Sequence, residues 1–130
     1  MNHDALAHWI AGYERAWRTA GTELIPDLFT PTATYRPGPF DPEVRGLEQL
    51  AAFWEAEREG PDEVFAMEWD AVAIEDDVAV ARVEVRYGDP PTRTYRDLWI
   101  MRFDEDRRCA EFEEWPFFPG QPLSATTDDA

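Results

Sequence analysis

TYRDLWIMRFDEDRRCAEFEEWPFF, Thr94–Phe118, threads carboxylates between aromatic side chains in two β-rich runs joined by a polar turn. Both runs are dense in Tyr, Trp, Ile and Phe, which fit a pleated, half-buried surface, and the charged DEDR between them reads as a solvated turn. The stretch is therefore an antiparallel hairpin. Alternation along its first strand puts Tyr95, Asp97, Trp99, Met101 and Phe103 on one face and Thr94, Arg96, Leu98, Ile100 and Arg102 on the other. The first face is the more apolar and belongs inside, which takes Asp97 inside with it. A four-residue loop pairs Phe103 with Arg108, Met101 with Ala110, Trp99 with Phe112 and Asp97 with Glu114. A two-residue loop slides the register by two and sets Trp99 against Glu114. Parity keeps Asp97 and Glu114 on one face in both registers, and only an odd bulge separates them. Glu111, Glu113 and Trp115 then fall on the outer face.

Upstream of the hairpin, Val64–Glu75 and Val78–Tyr87 have the same β-rich composition, and the short turns DD and GDPP divide one run from the next. Together with Thr92–Phe103 and Arg108–Phe118 they predict an antiparallel meander. The N-terminal half is helical. Leu6, Trp9, Ile10, Tyr13, Ala16, Trp17 and Ala20 recur with the 3.6-residue period of a first helix, capped by Asn2 or Asp4 and stopped by Gly21. TELIPDLF holds a second helix of about one turn, with Thr22 as a cap and Pro26 in its first turn. Thr32–Arg36 is a brief strand and Pro37–Gly46 reads as turn chemistry throughout. Leu47–Glu59 is a third helix with Leu47, Leu50, Phe53 and Trp54 on one face, ended by Gly60-Pro61. Helices followed by a meander imply an α+β domain, a cone-shaped curved antiparallel sheet with three N-terminal helices on its concave face. The domain is expected to span residues 1–118, with 119–130 a disordered tail.

Composition narrows the chemistry. A chain of 130 residues is one domain's worth, and 44% hydrophobic residues with six Trp, four Tyr and eight Phe argue for an aromatic core. The net charge of -16, with basic residues scattered singly, makes nucleic acid and anionic membrane poor partners. No apolar run approaches the roughly 20 residues that span a bilayer, and the N-terminus lacks a basic region followed by an apolar one. A cytoplasmic location is the resulting expectation. A lone cysteine, Cys109, excludes an internal disulfide, and two histidines, His3 and His8, are too few for a typical zinc constellation, so no metal is implied. All twelve basic residues are Arg, so lysine Schiff-base chemistry is excluded and no cofactor is implied.

The pattern resembles the nuclear transport factor 2-like superfamily, in particular its SnoaL-like and ketosteroid isomerase-like proteins, over residues 5–118. ATYRPGPFDPEVRGLEQLAAFW is similar to the family's strand, loop and third helix, and MRFDEDRRCAEFEEW to its last hairpin. The resemblance implies a small-molecule pocket and aligns Tyr13 with a tyrosine oxyanion donor. It also puts Pro37 where the isomerases carry their general base, Trp99 where they carry a second donor, and Trp54 where a supporting tyrosine stands. Steroid isomerisation of that type loses two of its three catalytic positions. An epoxide-hydrolase-like variant needs an Arg two residues before the strand aspartate, where this chain has Tyr95.

The candidate site follows from both lines. Asp97 and Glu114, facing an aromatic interior, form an acid–base pair, because desolvation and like-charge repulsion raise at least one pKa. Tyr13 is the polarising donor. Trp17, Tyr35, Phe53, Trp54, Trp69, Tyr95, Trp99 and Phe112 are the candidate ligand-binding residues for a small apolar, aromatic or polyketide-like molecule. Two readings stay open: cofactor-free isomerase, cyclase or hydratase chemistry, and a non-catalytic binding module that forms a homodimer through Leu98, Ile100 and Trp115 on the convex face.

Overall fold

A computed structural model describes residues 1–58, 60 and 62–121. In chain order the elements are α1 (His3–Trp17), α2 (Ile25–Leu28), β1 (Phe29–Arg36), β2 (Val44–Arg45), α3 (Gly46–Glu57), β3 (Phe65–Glu75), β4 (Val78–Gly88), β5 (Pro91–Phe103) and β6 (Cys109–Phe117). The strands form one curved, unclosed sheet in the order β2-β1-β6-β5-β4-β3. β3 to β6 make the expected antiparallel meander. β1 joins β6 in parallel and β2 pairs antiparallel with β1, so the whole sheet is mixed. The two-residue β2 lies inside the segment that sequence assigns to turns, and such a short element leaves no periodic signature. α3 ends at Glu57, short of the Glu59 expected from the sequence, because Arg58 is extended (ψ 137°); residues 59 and 61, and 122–130 of the C-terminal tail, lie outside the described residues.

Local chemistry sets the helix ends. Asn2 is extended (φ -132°), and its side-chain oxygen accepts from the Ala5 amide at 2.8 Å, so Asn2 is the cap. α1 stops at Trp17, and Ala20 is exposed beyond it. Thr22 contributes only its backbone carbonyl to α2, accepting from the Ile25 amide at 3.2 Å. The buried Arg58, just after α3, donates to the carbonyls of Ala16 (3.2 Å), Trp17 (3.3 Å), Thr19 (2.6 Å) and Gly21 (3.1 Å), and also pairs with Glu55. A guanidinium at a helix C-terminus meets the orphan carbonyls and the negative end of the dipole together. It also ties α1 to α3.

The β5–β6 turn departs from both loop lengths anticipated. The Asp104 carboxylate accepts from the amides of Asp106 and Arg108, both at 2.9 Å, and Arg107 takes a left-handed φ of 64°. Phe103 then pairs with Cys109 instead of Arg108, and a bulge brings Arg102 opposite Glu111. The longer loop and the bulge each shift the register by one. Two odd shifts cancel in parity, so Trp99 stands opposite Glu114 and Asp97 keeps the same face as Glu114. Asp97 is not directly opposite Glu114, as the four-residue loop required.

The concave face and the helices enclose an aromatic core. Leu6, Trp9, Ile10 and Tyr13 of α1 pack with Phe29, Met101, Phe103 and Phe112. Trp9 meets Phe29 and Phe103 edge-on, at 82° and 79°, and its indole N–H donates to the Leu28 carbonyl at 2.9 Å. That satisfies the one polar atom such a ring buries. On the convex face Leu98, Ile100, Trp115 and Val80 are half-buried. Ion pairs flank them: Arg82 with Asp70 (3.2 Å), Arg96 with Glu84 (2.9 Å) and Arg102 with Glu111 (2.9 Å).

Candidate functional site

Four alternate residues of β5, Arg93, Tyr95, Asp97 and Trp99, project from one face of the strand into a cavity of about 320 Å³. Neighbouring strands add Phe65 and Met67 from β3, Val85 and Tyr87 from β4, Glu114 and Pro116 from β6 and Tyr35 from β1. The helices close the other side with Tyr13, Glu14 and Trp17 of α1 and Phe53 and Glu57 of α3. Pro37 and Glu63 complete the wall. Tyr13 and Trp17 stand one helical turn apart with ring planes 3° from parallel. Tyr13 also lies 4.6 Å from Trp99, centroid to centroid, so helix and sheet meet through aromatic contacts.

All three candidate catalytic residues, Tyr13, Asp97 and Glu114, face this cavity, together with Trp17, Tyr35, Phe53, Tyr95 and Trp99. Trp54, Trp69 and Phe112 stand outside its wall. Trp54 is buried behind Tyr13 and Trp17, Phe112 stacks on Tyr35 (4.7 Å) beneath the lining, and Trp69 stacks on His3 (5.5 Å) near the start of α1. Sequence reasoning missed Tyr87 and Arg93. Strand pairing supplies the signal, because Tyr87 opposes Arg93 on the same face as Val85 and Tyr95.

The polar groups form a chain. The Tyr13 and Tyr35 hydroxyls are 3.2 Å apart, Tyr35 hydrogen-bonds the Glu114 carboxyl, Glu114 reaches Asp97, and the Trp99 indole N–H donates to Asp97 Oδ2 at 3.4 Å. Either hydroxyl can donate in the Tyr13–Tyr35 bond. Glu114 and Trp99 are the hydrogen-bond partners of Asp97. Burial pushes the Glu114 carboxyl well above the carboxylate range, and its hydrogen bond to Asp97 and the Asp97 charge add to the shift. Glu114 keeps some exposure as a residue, but its carboxyl is enclosed by protein atoms. Burial also raises Asp97, against the lowering effect of its hydrogen bonds to Glu114 and Trp99.

Burial therefore favours the neutral form of both carboxyls, and their contact couples the two titrations. Asp97 is 4% exposed, and its Oδ1 accepts from no N–H or hydroxyl among the described residues. Burial raises both Tyr13 and Tyr35 well above 10, which keeps them neutral donors. Burial, with Glu63 and Glu114 nearby, takes Tyr87 to about 12. The Cys109 thiol is buried and pushed up, so it is a poor nucleophile. Among the described residues no cluster of His, Cys, Asp and Glu has the arrangement of a metal site.

Residues 10–112 match the family described as the SnoaL-like domain, and the chain belongs to that family. No curated protein matches it. Solved structures with the same fold include a proposed ketosteroid isomerase from Parabacteroides distasonis, at 15% identity over 86% of this chain and 87% of that one, with a TM-score of 0.60. SalBIII, an epoxide hydrolase/cyclase-like enzyme of pyran ring formation in the polyether salinomycin, gives a TM-score of 0.69 at 11% identity, covering 85% and 89% of the two chains. An NTF2-like protein of unknown function from Mesorhizobium loti gives 0.64 at 17% identity, covering 88% and 92%.

Proposed function

We propose that this SnoaL-like protein binds a small apolar or aromatic molecule in the cavity under α1 and α3 and performs cofactor-free proton transfer on it. Isomerisation, cyclisation and hydration are the reaction types that fit. The observation that carries the reading is the Asp97–Glu114 pair, two carboxyls in contact on the wall of an aromatic cavity, both raised by burial. One carboxyl of the pair accepts a proton from the substrate while the other delivers its own to a second substrate atom, and proton exchange between the two restores the starting state. Tyr13 acts through Tyr35, whose hydroxyl polarises Glu114. The isomerase and cyclase-like descriptions among proteins of this fold support a reaction class of this kind.

The size of the cavity favours a compact substrate, since about 320 Å³ is at the low end of the roughly 300–1,000 Å³ typical of small-molecule sites. A thermal-shift panel of small aromatic and polyketide-like compounds tests occupancy, because a selective ligand raises the melting temperature by mass action. Turnover of any hit by wild type but not by Glu114→Gln supports proton transfer. Tight binding with no turnover leaves a binding protein. The half-buried convex residues Leu98, Ile100 and Trp115 favour a homodimer through that face in either case.

A further inference from the structure

We propose that Trp99 sets the size limit of the site, so that the cavity takes a ligand of one or two rings and rejects larger fused-ring systems. The proposal rests on the cavity being a ligand site and does not depend on whether chemistry follows. The inward residues of β5 run from solvent to core: Arg93 is exposed, Tyr95 is half-buried, and Asp97 and Trp99 are 4% and 2% exposed. All four line the cavity, whereas Met101 and Phe103, the next two on that face, are packed core and do not. β4 changes over at a similar depth, with Val85 and Tyr87 in the wall and Ala79, Ala81 and Val83 in the core. Trp99 therefore closes the inner end.

Strand pairing sets Ala71, Ala81, Trp99 and Glu114 abreast across β3 to β6. The indole is the one large apolar side chain of these four, so the position of the end wall depends on it. It is held on several sides. Its centroid lies 4.6 Å from that of Tyr13 on α1 and 5.1 Å from that of Phe112, which it meets edge-on at 63°, and its N–H donates to Asp97 Oδ2 at 3.4 Å. A close-packed wall of this kind yields to an oversized group only by strain.

An apolar cavity of about 150 Å³ is enough for benzene. The cavity here, at about 320 Å³, has room on that scale for roughly two fused rings. A third ring adds apolar surface, and burial alone would raise its affinity. A fall in affinity from two rings to three is therefore the mark of a steric limit. Truncation of Trp99 removes the end wall beside the buried Ala81 and extends the cavity along β4 and β5.

The experiment is equilibrium dialysis of the full chain with phenol, 2-naphthol and 9-phenanthrol, which carry one hydroxyl on one, two and three rings. Wild type is expected to bind 2-naphthol at least about tenfold more tightly than 9-phenanthrol. Trp99→Ala, or Trp99→Leu if the first variant fails to fold, is expected to reverse that order. Leu50→Ala, which trims the core of α3 away from the cavity wall, is expected to keep it. Three results overturn the assignment to Trp99 and leave the cavity reading standing: wild type that binds 9-phenanthrol as tightly as 2-naphthol, a Trp99 variant that keeps the wild-type order, or a Leu50→Ala variant that loses it. If none of the three compounds binds wild type or the Trp99 variant, the cavity reading falls and the size limit falls with it.

Discussion

Glu114 reaches Asp97 diagonally across the β5–β6 hairpin. Trp99 stands opposite Glu114, and Pro116 stands opposite Asp97. Trp99, two residues along β5 from Asp97, is close enough to donate to it. Burial raises both carboxyls, which ties the stability of the fold to pH.

Glu114→Gln tests the energetic side. The folded-state pKa of Glu114 is raised above its unfolded value, so folding is insensitive to this group below the unfolded pKa of about 4.3. Stability then declines as pH rises through the folded pKa, at about 1.4 kcal/mol for each tenfold difference in proton affinity between the folded and unfolded states. The Gln variant loses the Glu114 share of this dependence and keeps that of Asp97. Denaturant melts at pH 5 and pH 8 are expected to show wild type losing stability across the interval, with the variant at least as stable as wild type at pH 8.

Tyr35→Phe removes the hydroxyl that joins Tyr13 to Glu114. It strands a buried Tyr13 hydroxyl, and the expected cost is about 1–3 kcal/mol. The lost donor also frees Glu114 to rise further, so the basic limb of any pH–rate profile moves to higher pH. Equilibrium unfolding and a pH profile on a turned-over compound check the two effects separately.

Arg58→Ala leaves the carbonyls of Ala16, Trp17, Thr19 and Gly21 without the guanidinium that now serves them. The expected loss is about 3 kcal/mol, the order seen when a buried hydrogen-bond network is broken. Amide exchange is predicted to accelerate at the C-terminal end of α1 before it does in β4 and β5.

Light scattering at micromolar concentration is expected to give a dimer. Trp115→Glu, which sets a second charge beside Glu113 and removes an indole that donates to it, is expected to give a monomer. A wild-type monomer contradicts the convex-face interface.

Parity makes most of the site legible in the sequence. Alternation along Thr94–Phe103 puts Asp97 and Trp99 inside, and an even register difference puts Glu114 beside them. The sequence narrows the register to two alternatives, one of them the observed Trp99–Glu114 pairing, but the choice depends on Asp104 bonding two amides and on a bulge near Ala110, and neither leaves a compositional mark. Trp54 and Phe112 read as ligand contacts because an aromatic on an inward face looks the same whether it lines a cavity or backs its wall. Arg58 looks like an ordinary surface arginine, since nothing in the sequence shows that four carbonyls at and beyond the end of α1 converge on it.

The most direct test is a site-resolved carbon NMR titration of the Asp97 and Glu114 side-chain carboxyls from pH 3 to pH 9. The shared-proton account predicts coupled transitions, with one proton lost only well above the carboxylate range and with Asp97→Asn lowering the Glu114 transition. Independent titration of both groups near the ordinary value of about 4 would contradict it.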